Sequence, residues 1–159
     1  MAKTAPLRNE IKQCFFPIVQ ERGFIVDLRE PRFFWVFRRW ANQQVHIFEI
    51  QWDKYGMARF RINYGTCNSN GEMIGTKFMT PENIFASWLP DSGHLQPRKG
   101  RFSSRKWFRQ DNTLFQRLFG KPKLCSTKEV VDNLLKLFFE LEHYWSTGNI
   151  GKHMQKIPS

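Results

Sequence analysis

Between Arg98 and Arg109 the chain carries six cations in twelve residues, Arg98, Lys99, Arg101, Arg105, Lys106 and Arg109, with no acid among them. Phe102, Trp107, Phe108, Ser103 and Ser104 lie between the charges. Cations neutralise phosphates, hydroxyls donate to them and rings stack on unpaired bases, so this mixture suits a nucleic acid. It equally suits an acidic protein, for which arginine and tryptophan are frequent anchors. Arg98, Lys99, Arg101, Arg105, Lys106, Trp107 and Arg109 therefore form the main candidate partner-binding set. The plainer alternative is a solvated loop whose charge serves solubility, with Phe102, Trp107 and Phe108 turned into the core. Arg32, Phe34, Arg38 and Trp40 repeat the same interleaving of cations and aromatics and form a secondary candidate surface. Phe33, Phe34, Trp35, Phe37 and Trp40 could also line a pocket, but aromatics favour strands, and a sheet covered on both faces needs them as core.

Catalytic chemistry is sparsely provided. His46, His94, His143 and His153 stand alone, without the short spacing of paired metal ligands. Glu49 and Asp53 are two carboxylates near one strand end, the only pair that suggests a hydrolase, and Glu49 has Arg61 as an expected partner. The serines form no GxSxG elbow. Gly71 to Lys77 lacks the spacing of a phosphate-binding loop, and no GxGxxG follows a strand. No catalytic residue, metal or cofactor is assigned.

The charge is localised. Of the formal net charge of +11, the segment 98–123 contributes +8, with nine basic residues against Asp111. Cys14, Cys67 and Cys125 are odd in number and never closely paired, so neither a disulfide framework nor a zinc site is expected; buried or half-buried thiols in a reducing cytoplasm are. The beginning of the chain has no apolar leader of signal-peptide type, and nothing approaches a membrane span, so a cytoplasmic location without membrane contact is expected.

The elements that must position these residues make an α+β domain over 1–148, followed by a flexible tail over 149–159. At 159 residues, one domain with a sizeable core is expected. Leu7, Ile11, Cys14, Phe15, Ile18 and Val19 share one helical face, with Thr4 as N-cap, Gly23 as stop, and Pro17 kinking or shortening the helix. Alternation predicts strands over 24–29, 33–40, 45–52 and 58–64, an antiparallel meander of four or more strands. Trp35 and Phe37 fall on one side of the second strand, and Phe34, Val36, Arg38 and Trp40 on the other. In the last two strands, pairing Trp52 with Ala58, Ile50 with Phe60 and Phe48 with Ile62 matches the apolar faces across a loop from Asp53 to Met57. That register sets His46 against Tyr64, Glu49 against Arg61 and Gln51 against Arg59.

Residues 67–79 are rich in Gly, Asn and Ser and read as a loop, and Thr80-Pro81 as the start of a short helix through Trp88. The segment 101–109 is open between strand and loop, and a short helix is expected near 113–119. Ser126-Thr127-Lys128-Glu129 is a capping box for a long helix closed by Gly148. Its stripe of Val130, Leu134, Leu137, Phe138, Leu141 and Trp145 contributes roughly 9–18 kcal/mol of burial before entropy is charged, which requires it to lie on the sheet.

The helix ending at Gly23-Phe24, the aromatic strand, the strand ending Ile50-Gln51-Trp52, the run Phe60-Arg61-Ile62-Asn63-Tyr64-Gly65 and the late helix together resemble the bacterial family called domain of unknown function 4304, over about residues 7–145. The resemblance implies a compact domain with helices against an antiparallel sheet and brings no established activity or functional residue. Some small bacterial domains of this general kind resemble immunity partners of intercellular toxins. The expected role is thus a non-catalytic binding domain docking an acidic protein, of immunity-inhibitor type, with a nucleic-acid binder as alternative and a hydrolase third.

Overall fold

The computed structural model describes residues 4–97, 106–110, 118–119 and 126–157. At its start, helix α1 (Thr4–Glu10) runs through a π-helical turn, Ile11–Phe15, into α2 (Phe16–Glu21). The π turn is how the helix accepts Pro17: a wider turn absorbs one extra residue just before the missing N–H. It also resets the buried face. Leu7, Ile11, Phe15 and Val19 point inward at a strict spacing of four, while Cys14, expected on that face, is exposed and half-buried Phe16 packs on Trp35 and Phe37 instead. Cys67 is buried, and Cys125 lies outside the described residues.

The main sheet is antiparallel throughout, in the order β1 (Ile25–Asp27), β2 (Phe34–Ala41), β3 (Gln44–Trp52), β4 (Arg59–Asn68), β7 (Gly93–Leu95) and β9 (Met154–Lys156), with β8 (Phe108–Arg109) also pairing β4. The long helix α3 (Thr127–Thr147) completes the α+β architecture. It starts at the capping box of Ser126 and Glu129, and Gly148 ends it in the left-handed conformation at φ 77° that only glycine takes cheaply. α3 and the N-terminal helix cover one sheet face, where Phe15, Phe37, Phe48, Phe60, Leu134 and Phe138 meet in the larger core.

Among the described residues, the opposite face is covered over one end. Val36, Val45, Ile47 and Cys67 pack there beneath Ile84, Ala86 and Leu89. This cover is not the single helix expected through Trp88; it is two 3-10 turns, Pro81–Asn83 and Ala86–Trp88, separated by extended backbone. Gly65 makes the close approach possible, because a Cβ there would meet Leu89 Cδ1 at 2.7 Å.

Three expectations are corrected by the strands. First, β3 and β4 pair as Trp52–Phe60, Ile50–Ile62 and Phe48–Tyr64, two residues from the predicted register, so Glu49 faces Asn63, Gln51 faces Arg61 and His46 faces Thr66. Apolar matching permits every even sum; Asp53 chooses among them. Its carboxylate accepts the backbone N–H of Tyr55 at 2.9 Å and the Nε–H of Arg59 at 2.9 Å, which closes the turn at the Asp53–Arg59 pair. Second, 67–79 is not simply a loop: β4 runs to Asn68, and β5 (Glu72–Ile74) and β6 (Lys77–Met79) form a separate hairpin. Third, the residues after Gly148 return to the sheet. Met154 is buried, β9 pairs β7, and Gln96 N–H donates to His153 C=O, so the expected flexible tail is an edge strand through Lys156.

Candidate binding site

On the half-covered face, strand pairing lays out one row of residues across the sheet: Val36, Glu49, Asn63, His94 and Gln155. Beside it runs a second row of Phe34, Gln51 and Arg61, and then the pair Arg59–Arg109. Odd-numbered residues of β3 and β4 share this face because strand side chains alternate. The 3-10 cover reaches the first row at Glu49, through the Ala86 N–H, and the second row at Phe34, through the Phe85 ring.

Glu49 is the hinge between covered and open parts. It is wholly buried, with one carboxylate oxygen accepting from Asn63 Nδ2 at 2.8 Å and the other from the backbone N–H of Ala86 at 3.0 Å. Burial raises its carboxyl above the usual range, against the hydrogen bonds from Asn63, Ser87 and Ala86. Asp53 is equally committed, to Tyr55, Met57 and Arg59. Both candidate hydrolase carboxylates are therefore saturated by the fold's own donors. Among the described residues no group of three or more His, Cys, Asp or Glu is arranged to hold a metal.

At the open end the charges are basic. The guanidiniums of Arg59 and Arg61 lie 4.8 and 5.7 Å from the centre of the Trp107 ring. Arg59 is balanced by Asp53 at 2.8 Å, whereas Arg61 donates from Nε to the neutral amide of Gln51 at 2.5 Å. Lys106 stands close enough to repel Arg61: burial first, and then the Arg61 charge, lowers its ammonium. Burial, Lys106 and Arg61 together hold His94 below the ordinary histidine range, so it is neutral at pH 7. Burial also lowers the Arg61 guanidinium, with Glu49 beneath it opposing. Two half-buried cations, one neutral imidazole and an amide thus converge at the rim of a sheet. Such a set stabilises a carboxylate or a phosphate placed between the cations.

Of the main sequence candidates, Lys106 and Trp107 stand in this cluster. Arg109 does not share its outward character: it is only 6% exposed, drawn in as the β4 partner of Arg59. Phe108, next to it, stacks on Phe60 at 5.1 Å inside the larger core. Arg98, Lys99, Arg101 and Arg105 lie outside the described residues, as does the short helix expected near 113–119, except Leu118 and Phe119, which are helical.

The secondary group is dispersed. Arg38 is 4% exposed and bonded to Pro81 C=O, Ile84 C=O and the Asp27 carboxylate, so it fastens the cover to the sheet rather than facing outward. Half-buried Phe34 stacks edge-on against Phe85 at 5.2 Å, while Arg32 and Trp40 are exposed. Trp35 and Phe37 belong to the larger core, as the strand reading of the aromatics expected.

Arg59, Arg61, Gln51 and His94 were not among the sequence candidates. Their signal was present in the alternation Arg59, Arg61, Asn63, but a register offset by two residues paired the arginines with Gln51 and Glu49 as surface contacts. His94 reaches the row only through β7, a strand of three residues.

Comparison with protein-family models, curated proteins and solved structures returns no match, so the functional reading rests on this geometry. Among the described residues no helix is long and apolar enough to cross a membrane.

Proposed function

We propose that the chain is a non-catalytic binding domain that docks an acidic protein partner, in the manner of an immunity-type inhibitor, through the basic stretch 98–109 and the strand surface that its end meets. The observation that carries this reading is the convergence of Lys106, Arg61 and Trp107. The described end of the basic stretch, Lys106 and Trp107, lies beside Arg59 and Arg61 of the sheet, which supports a positive surface at this point. The field of such a surface speeds the encounter of opposite charges and fixes their orientation.

Two features favour a protein over a nucleic acid. The guanidiniums of Arg59 and Arg61 already lie over Trp107, which competes with base stacking on that ring. Glu49 and Asp53 also sit beneath and beside the arginines, which suits a partner carrying one or two carboxylates better than a continuous run of phosphates.

The test is a pull-down from host lysate with the wild-type chain and with Arg61→Gln/Lys106→Glu, run next to gel shifts. A partner held by the wild type and lost by the variant is the expected outcome. Nucleic-acid binding that falls about a thousandfold between about 50 and 200 mM salt, as roughly six phosphate contacts require, would overturn the protein reading in favour of nucleic acid.

A further inference from the structure

The basic end of the sheet holds more donors than the fold uses. Arg61 spends its Nε–H on Gln51 Oε1 at 2.5 Å, and its two terminal amino groups donate to no described residue. The same Gln51 oxygen accepts from Asn63 Nδ2 at 3.1 Å, which fixes the amide with its own amino group unused among the described residues. Half-buried Lys106 has neither a hydrogen bond nor an ion pair among them. The carboxylates close by are spent elsewhere, Glu49 on Asn63 and Ala86, Asp53 on Tyr55 and Arg59. Arg59 is thereby neutralised, while Arg61 and Lys106 face each other with their charges unbalanced.

These donors come from three separate stretches of backbone: Gln51 from β3, Arg61 from β4 and Lys106 from the turn before β8. Resting on the function proposed above, we infer that Arg61, Lys106 and Gln51 form a site for a single phosphoryl group, a phosphate monoester carried by the acidic partner. A carboxylate is planar, has two oxygens and one charge, and is satisfied by the fork of one arginine, which would leave Lys106 unbalanced. A phosphate monoester offers three terminal oxygens to the three donor groups. Near pH 7 it carries close to two negative charges, which match the two free cations. Because Arg59 is already paired, the surplus fits one such group rather than a run of phosphates. Trp107, with its ring centre 5.7 Å from the Arg61 guanidinium, walls the site and limits the water that could screen it.

The experiment is an NMR titration of the full chain with three blocked pentapeptides, Gly-Gly-X-Gly-Gly, in which X is phosphoserine, glutamate or serine. It is run at about 50 mM chloride, where charge contacts are little screened, and about pH 7.5, where the phosphoryl group is a dianion. The phosphoserine peptide is expected to bind about tenfold more tightly than the glutamate peptide, and the serine peptide not at all. Its saturation should also move the titration of the His94 ring to higher pH, because the bound charge offsets Arg61 and Lys106, which help to hold that ring neutral. Arg61→Gln and Lys106→Gln should each weaken phosphoserine binding about tenfold. Equal binding of the phosphoserine and glutamate peptides, or a His94 titration that the phosphoserine peptide leaves in place, overturns the inference. Inorganic phosphate binding as tightly as the phosphoserine peptide overturns the assignment to the partner and gives the site to the free ion. Displacement of the peptide by single-stranded oligothymidine at equal concentration gives it to nucleic acid instead. If the phosphoserine peptide fails while the lysate partner is still held by the wild type and lost by Arg61→Gln/Lys106→Glu, the acidic-partner reading stands and this one falls. Failure of both measurements removes both.

Discussion

The guanidinium of Arg39 donates to both carboxylate oxygens of Glu142, at 2.7 and 3.0 Å, across 103 residues of sequence. It ties β2 to the last turns of α3, and the same guanidinium lies over Phe24 and reaches His46 Nδ1. Neither partner is free in solvent: their side chains are 19% and 14% exposed. A two-point bond in such a place fixes how the helix seats on the sheet, whose opposite face carries the candidate site.

Glu142→Ala should therefore destabilise the chain by about 2–3 kcal/mol, since it leaves a half-buried arginine without its charge partner. The double change Arg39→Met/Glu142→Leu should recover most of that loss, because it removes both charges and keeps the packing. Urea midpoints of the three proteins decide it; a double variant as weak as the single one would mean that the geometry of the pair, not its charge balance, holds the helix.

His46 stacks on Trp145 at 4.8 Å with the rings nearly parallel, and burial, aided by Arg39, lowers its pKa from 6.5 to about 4. The unfolded chain then takes up a proton below about pH 6.5 that the folded chain refuses until about pH 4. Stability linked to His46 is whole above that window and falls as the pH drops through it, by up to about 3 kcal/mol. The expected measurement is a urea midpoint that declines from about pH 7 to about pH 5 in the wild type and declines less in His46→Phe, which keeps the stacking without the titration.

Glu49→Ala should cost about 3 kcal/mol, since it empties a buried site and leaves the Ala86 N–H without an acceptor. The loss should be local before it is global. Amide exchange of Ala86 should speed up in the variant while that of Ile62 and Phe60 in the sheet changes only with overall stability. If both regions accelerate equally, the carboxylate does not separately anchor the cover.

What the sequence determined by itself was whatever depends on neighbours along the chain. The capping box at Ser126, the stop at Gly148 and the α3 stripe through Leu141 are short-range features, and the structure has them as read. The faces of β2, β3 and β4 follow from alternation, so Trp35, Phe48 and Ile62 were legible as core. Parity leaves register open, however, and the choice between pairing Glu49 with Arg61 or with Asn63 fell to the Asp53 hydrogen bonds, which only the folded turn brings together. The helix face around Cys14 moved for a similar reason: periodicity assumes a regular turn, and Pro17 imposes a π turn.

The basic character of 98–109 was plain from composition, because charge is a property of the residues themselves. Its placement was not. Arg109 turned inward, Arg38 became a clasp, and Arg59, Arg61 and His94 came beside Lys106 and Trp107 only through the pairing of β4 with β7 and β8. Those strands are three and two residues long, too short to carry a pattern of their own. Their positions come from long-range hydrogen bonding to a sheet whose centre was already built, and no local preference of the chain encodes that contact.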